Sequence, residues 1–233
     1  MQAIRLKTEH LQNPIGVDFT APRLFWNCEG GKKQTAYQIV VVNDAGMILW
    51  DSGKIESASM RAQWGGKPVP PKTKVLWKVR LWDESDAVGD WAESTFETGI
   101  DVWKAKWITG NYRVNKKERY PVDCFRKTFN VSGIQKARLY ITACGLYEAK
   151  LNGQRIGDFI LAPGITDYRK RVQYQTYDVT ELLQIGENVL TVQLADGWYR
   201  GSTGAWGLKN QYGTETKLLT QLEITHTDGS VQT

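Results

Sequence analysis

The feature that most restricts what this chain can fold into is the near absence of a helical apolar repeat; strand-length runs bounded by turn residues recur along it instead. The clearest is "KVLWKVRLWD" at 74–83, where Val75, Trp77, Val79 and Leu81 alternate with Leu76, Lys78, Arg80 and Trp82. Successive strand side chains point to opposite faces, so one face of this run is apolar and the other mixed, as in an antiparallel sheet packed on one side. "TAYQIVVV" followed by "NDAG" reads the same way. Ten Trp, ten Tyr and six Phe among 233 residues add to the strand preference, because aromatics suit a pleated, half-buried surface.

Residues 1–101 are expected to form one β-sandwich. Trp26, the hairpin "VVVNDAGMILWDSG" and the closing "LWKVRLWDESDAVGDWAESTFETG" follow the order of a fibronectin type III or immunoglobulin-like domain. Trp77, Val79 and Leu81 are expected in its core and Trp91 at its edge. "PVPPKTK" at 68–74 is a loop, since proline removes ladder donors. From residue 102 a second set of strands begins: "CFRKTFNV", "KARLYITACG", "LYEAKLNGQRI", "RVQYQTYDVT", "NVLTVQLAD" and "TKLLTQLEITH". Asn152-Gly153 is a strong signal for a two-residue hairpin, whose type I′ turn needs positive φ at both positions. The one helical hint is "DVTELLQIGEN", with Thr180 as cap. The whole is all-β, with a second antiparallel, jelly-roll-like sandwich over 102–233 that is expected to be incomplete.

Several function classes are excluded or disfavoured. A net charge of +5 from scattered basic residues does not make a nucleic-acid surface. The densest cluster, "YRKRVQY" at 168–174, reads as a solvated strand face. No apolar run of about 18 residues marks a membrane span, and the N-terminus lacks the apolar stretch of a signal peptide, so a cytoplasmic location is expected. Cys28, Cys124 and Cys144 are odd in number and widely spaced, which suggests buried free thiols rather than a disulfide or zinc framework. No catalytic elbow or phosphate loop is present. "GSTGAWG" lacks the lysine and helix that such a loop needs. His10 and His226 read as surface residues, and no pair of acids is a convincing catalytic couple. Asp167 and Asp196 are better read as turn residues bonding nearby backbone.

The run from 145 to 201, with the hairpin "LNGQRIGD", the segment "PGITDYRKRVQYQTYDVT" and the close "DGWYRG", resembles the N-terminal β-domain of bacterial α-L-rhamnosidases. The sandwich before it resembles the domain that commonly precedes it there, so the resemblance covers essentially the whole chain. Two departures are Ile165, where many members carry Trp, and Ala195, where many carry Gly. The resemblance implies an inverting glycosidase whose two carboxylates, about 6.5–9.5 Å apart, belong to a downstream (α/α) barrel. Nothing in these residues reads as that barrel, so a catalytic role is not expected of this chain.

What the resemblance leaves for this chain is support of that catalytic domain and grip on a rhamnosylated glycan. "GWYRGSTGAWG" at 197–207 then becomes the segment of interest, since sugar CH groups stack on aromatic rings and hydroxyls bind carboxylate, amide and guanidinium groups. Trp198, Tyr199, Arg200 and Trp206, with Asp167, Tyr168, Arg169 and Asn210, supply that inventory. For Trp198 and Tyr199, packing against a further domain is favoured over sugar; for Trp206 the two readings stand level. Some family members hold calcium in such a domain, and Asp196 and Asn210 are the candidates here; no other cofactor is expected. The alternative reading is a free-standing carbohydrate-binding or adhesive protein, and open strand edges suggest a dimer.

Overall fold

The computed structural model describes residues 1–115, 117–202 and 206–233, which form two compact units, Met1–Asp101 and Val102–Thr233. Strands dominate both, and no described helix is long and apolar enough to cross a membrane.

In the first unit the strands are β1 (Gln2–Thr8), β2 (Ile15–Val17), β3 (Arg23–Glu29), β4 (Ala36–Asn43), β5 (Ile48–Asp51), β6 (Ile55–Glu56), β7 (Arg61–Gln63), β8 (Lys74–Trp82) and β9 (Ala92–Thr98). One sheet runs β1-β3-β7 and the other β2-β9-β8-β4-β5, with β6 on β4. Strand β8 shows the alternation read from its sequence: Val75, Trp77, Val79 and Leu81 are fully buried, facing Leu24 and Trp26 of the other sheet within one core. Burying Trp26 and Trp77 strands no N–H, because Trp26 Nε1 donates to Gln34 at 3.0 Å and Trp77 Nε1 to Thr8 at 3.2 Å. Trp91 lies under the Lys78 and Arg80 cations of the mixed face. The expectation of a purely antiparallel sandwich needs one correction: β2 pairs parallel with β9. The chain enters β2 beside β9 because the Asn13 carboxamide accepts from the Ser94 hydroxyl and the Thr95 amide at 2.9 and 3.0 Å.

The second unit is built from β10 (Asp123–Val131), β11 (Lys136–Cys144), β12 (Leu146–Leu151), β13 (Gln154–Arg155), β14 (Gln175–Asp178), β15 (Gly186–Ala195), β16 (Lys217–Thr225) and β17 (Val231–Gln232). They form two four-stranded antiparallel sheets, β10-β15-β12-β13 and β14-β11-β16-β17. Ala137, Leu139, Ile141 and Ala143 of β11 meet Ala149, Leu151, Val192 and Leu194 of the facing sheet in one core. The other face of β11 is buried as well, with Arg138, Tyr140 and Thr142 all under a tenth exposed. Trp103 covers Tyr140 edge-on, and Thr142 donates to the Gln173 carbonyl. The segment after β13 therefore lies over this sheet as a lid of loops, and those loops carry much of the candidate site.

Asn152 and Gly153 have φ of 52° and 82°, the type I′ turn expected between β12 and β13. Asn152 also bonds the Val189 amide, the Leu182 carbonyl and the Asn188 side chain, at 2.8–2.9 Å. Strand β10 is an edge, and its inner face sets Lys127 between the core-packed Phe125 and Phe129.

Four local expectations are corrected. Residues 168–174 form turns and irregular chain rather than a strand, because the segment crosses the outside of β11 instead of pairing at full length. The helical hint is a short 3-10 turn, Thr180–Leu182, and Thr180 does not cap it. Its hydroxyl accepts from Ala137 N and donates to Asp178. Cys124 is exposed, not buried, since it lies on the outward face of edge strand β10. Gly197–Arg200, outside the one stretch where the sequence hints at a helix, makes one helical turn that we label α1.

Candidate functional site

The end of β15 places the site. Ala195 closes the strand, Asp196 turns the chain, and α1 follows at once. Gly197 has φ of 51°, and a Cβ there would press into Leu146, so the turn can pack this closely only with glycine. Two consecutive residues of α1 then serve different clusters.

Arg200 points into the first cluster and is 6% exposed. Its guanidinium bonds the Asp196 carboxylate at 2.6–2.7 Å, donates to the Tyr112 hydroxyl at 3.1 Å and lies 5.3 Å from the centre of the Tyr120 ring. Tyr112 and Tyr120 stack at 4.9 Å. Asp123 accepts from Tyr112 and Thr216 at 3.2 and 2.9 Å. Asn210 N donates to the Arg200 carbonyl at 3.0 Å. Arg200, Asp196, Tyr120 and Asn210 border a cavity of about 290 Å³ whose lining also includes Asn115, Glu118, Ser202 and Lys209. That is the small end of the range for ligand pockets. It presents carboxylates, amides, a hydroxyl and an ammonium, a set suited to a small polyhydroxylated molecule.

Tyr199 points into the second cluster. Its ring stands edge-on to Tyr168 at 5.3 Å and near-parallel to Tyr212 at 6.4 Å, while Tyr168 and Tyr212 are 5.1 Å apart. Arg169 sits 5.6 Å from the Tyr212 ring and bonds Asp167 at 2.9 Å. That hydrogen bond from Arg169 holds the Asp167 carboxyl below the ordinary carboxylate range. The Tyr168 hydroxyl donates to the Gly164 carbonyl at 3.0 Å, and burial pushes its pKa up to about 12. A Cβ at Gly213 would collide with Tyr199.

The structure thus divides the expected residues. Asp167, Tyr168, Arg169 and Tyr199 come together at the tyrosine cluster. Arg200, Asn210 and Asp196 come together at the cavity. Trp198 is half-buried on α1, in no aromatic pair among the described residues. Trp206 is 89% exposed, while Gly204, which precedes it in the expected loop, lies outside the described residues. Asp196 was expected to bond nearby backbone; its side chain makes no cap hydrogen bond and is held by Arg200 instead. Asp167 does head a turn, accepting from Lys170 N and Arg171 N through its carbonyl.

The calcium reading does not fit. Calcium needs several oxygen ligands, yet the Asp196 carboxylate faces the Arg200 cation, and no three His, Cys, Asp or Glu side chains converge among the described residues.

Sequence reasoning missed Tyr112, Tyr120, Glu118 and Tyr212. The first three belong to "NYRVNKKERY" at 111–120, which has neither strand nor helix period; its aromatic and charged content was the available signal.

Comparison with known proteins agrees with this architecture. Residues 132–233 match the family model described as the α-L-rhamnosidase N-terminal domain. Residues 3–101 match the Rha78A-like, N-terminal immunoglobulin domain. An α-L-rhamnosidase of Formosa agariphila is 36% identical across 96% of this chain and 26% of its own length. One from Alteromonas sp. is 34% identical across 96% and 26%. Among solved structures, the native enzyme of Aspergillus terreus superposes with a TM-score of 0.91 at 32% identity, over 99% of this chain and 28% of its own. The Streptomyces avermitilis enzyme complexed with L-rhamnose gives 0.87 at 25% identity, over 99% and 40%. The chain spans between 24% and 40% of the length of the curated relatives it matches. With both of that family's N-terminal domain models matched in order, the chain belongs to the α-L-rhamnosidases as their N-terminal part.

Proposed function

We propose that the chain is the non-catalytic N-terminal portion of a glycosidase that releases terminal L-rhamnose from rhamnosides, supporting a catalytic domain and contributing to substrate recognition. The observation that carries this reading is the pair of N-terminal family models matched in order, in relatives several times longer. A free-standing adhesive protein is not favoured, because those relatives join these domains to much more chain. The cavity beside Arg200 has the size and hydrogen-bonding groups for a single sugar ring.

Two measurements test this. The 233-residue chain should release no nitrophenol from p-nitrophenyl α-L-rhamnoside; turnover would place catalytic groups here and overturn the non-catalytic assignment. Titration with L-rhamnose, followed by NMR, should give saturable shifts around Arg200 and Asn210 that weaken in Glu118→Gln. A flat response at tens of millimolar sugar would leave the aromatic loops with the supporting role alone.

Association of two copies through the free edge of β10 is a separate matter, and we propose that it does not occur. Lys127 on the inner face would have to be buried by a second strand, and inward charges are a known guard on sheet edges. Sedimentation velocity showing a dimer would refute this.

A further inference from the structure

A second hollow, of about 480 Å³, opens on the outer face of sheet β1-β3-β7 in the first unit, lined by Arg5, Lys7, His10, Phe25 and Arg61 among others. Lys7, Phe25 and Arg61 stand directly opposite one another across the three strands, so their side chains share one face in a row. Neighbouring Leu24 and Ala62 are buried on the other face, which confirms the outward direction of that row.

Two backbone irregularities aim further groups at the same spot. The β1–β3 register shifts between Ile4 and Lys7, and Arg5 within the shift has φ of 51°. A bulge of this kind redirects a side chain that regular pleating would place elsewhere. At the end of β1, Glu9 and His10 take φ of 48° and 70° in a tight turn closed by reciprocal Thr8 and Leu11 hydrogen bonds of 2.8 and 2.9 Å. Neither is glycine, so both residues bear the cost of the left-handed region. Glu9 holds the turn in place, accepting from Arg23 N at 2.6 Å and from its guanidinium at 2.6 and 3.0 Å. The result is His10 lying on Phe25, with ring centroids 4.3 Å apart.

The charge balance of this hollow is one-sided. Glu9 is the nearby carboxylate and is taken up by Arg23. Among the described residues, the side chains of Arg5, Lys7 and Arg61 have no hydrogen-bond or ion-pair partner. Three unpaired cations around an imidazole–phenyl stack form a surface complementary to an anion carried on a flat, partly apolar body.

We propose that this hollow binds an acidic glycan, a sugar ring bearing a carboxylate or a sulfate ester. The anion meets Arg5, Lys7 and Arg61, and the ring's CH face meets the His10–Phe25 stack. That the ligand is a glycan rests on the glycosidase reading above; that it is anionic rests on the hollow alone. The arrangement would hold an acidic stretch of a polysaccharide on the first domain.

The test uses the whole chain and four probes: short oligogalacturonate, short dextran sulfate, neutral dextran, and a single-stranded oligonucleotide of matched charge. Calorimetry at moderate salt is expected to show binding of one or both acidic glycans and none of dextran. The partner that binds identifies the carboxylate or the sulfate as the anion. Lys7→Gln with Arg61→Gln is expected to weaken it about tenfold, as for loss of charge-assisted hydrogen bonds. Both side chains are exposed, so folding is not at stake, and circular dichroism verifies it. Unchanged affinity in that variant, equal binding of dextran, or equal binding of the oligonucleotide would overturn the proposal. The L-rhamnose titration reads the second unit, so failure of either site is seen independently.

Discussion

Arg200 Nη2 lies 2.6 Å from Asp196 Oδ1, an ion pair spanning the single turn of α1 with the cation buried and the carboxylate about a third exposed. A buried guanidinium that loses its partner is costly, because the charge is left desolvated and unpaired.

Asp196→Ala should therefore destabilise the second unit by about 2–3 kcal/mol. Arg200→Lys should recover little of a similar loss, since lysine cannot bond Asp196 and Tyr112 while lying on Tyr120. Urea unfolding followed by circular dichroism measures both; a change below about 0.5 kcal/mol would show the pair to be incidental.

Asn188 is fully buried and exchanges hydrogen bonds with Gln184, Gly186 and Asn152 at 2.7–3.0 Å. Asn188→Ala leaves several of these groups without partners and should cost about 2–4 kcal/mol. A melting temperature equal to that of the parent chain would contradict this.

Acid should weaken the first unit through Glu9. Its carboxyl is held below the ordinary 4.5, first of all by hydrogen bonds from the Arg23 side chain. A lowered folded value means that the pair contributes fully above the unfolded pKa and is lost as pH falls through the folded one. Stability should fall below pH 4.5, and Glu9→Gln should flatten that limb. An unaltered acid limb in the variant would assign the loss to other carboxylates.

Thiol reactivity should follow position. Burial raises the Cys28 and Cys144 thiols above 9.0, while Cys124 is exposed. A disulfide reagent at neutral pH is expected to label Cys124 first, because the thiolate is the reactive form and access governs its encounter. Mass spectrometry after brief exposure should find one adduct; initial labelling at Cys144 would mean that its cover of loops opens readily.

Lys127→Val removes the charge between Phe125 and Phe129. The variant should associate where the parent does not, and size-exclusion chromatography at rising concentration reads the difference. Two monomeric proteins would mean that the lysine does not guard the edge.

Alternation made the sandwiches legible. Trp77, Val79 and Leu81 announce a packed face because side chains on a strand repeat every two residues, and Asn152-Gly153 announces its turn because few residues tolerate that backbone. The site was legible in composition but not in arrangement. Tyr199 and Arg200 are neighbours in sequence, and a single helical turn sends them to different clusters, which no linear pattern expresses. Tyr112 and Tyr120 reach Arg200 from 88 and 80 residues away, through irregular chain that has no period to read. Residues 168–174 carried a strand-like alternation that tertiary packing over β11 overrode.

The division of labour on α1 has an optical consequence. Tyr199 belongs to a trio of phenol rings, Trp198 is half-buried beside it, and Arg200 lines the cavity, all three on one helical turn. A small molecule that shifts Arg200 is expected to disturb the indole and the phenols. The chain thus carries its own chromophores at the place where occupancy would have to be detected, and intrinsic fluorescence can report on the cavity without any label being attached.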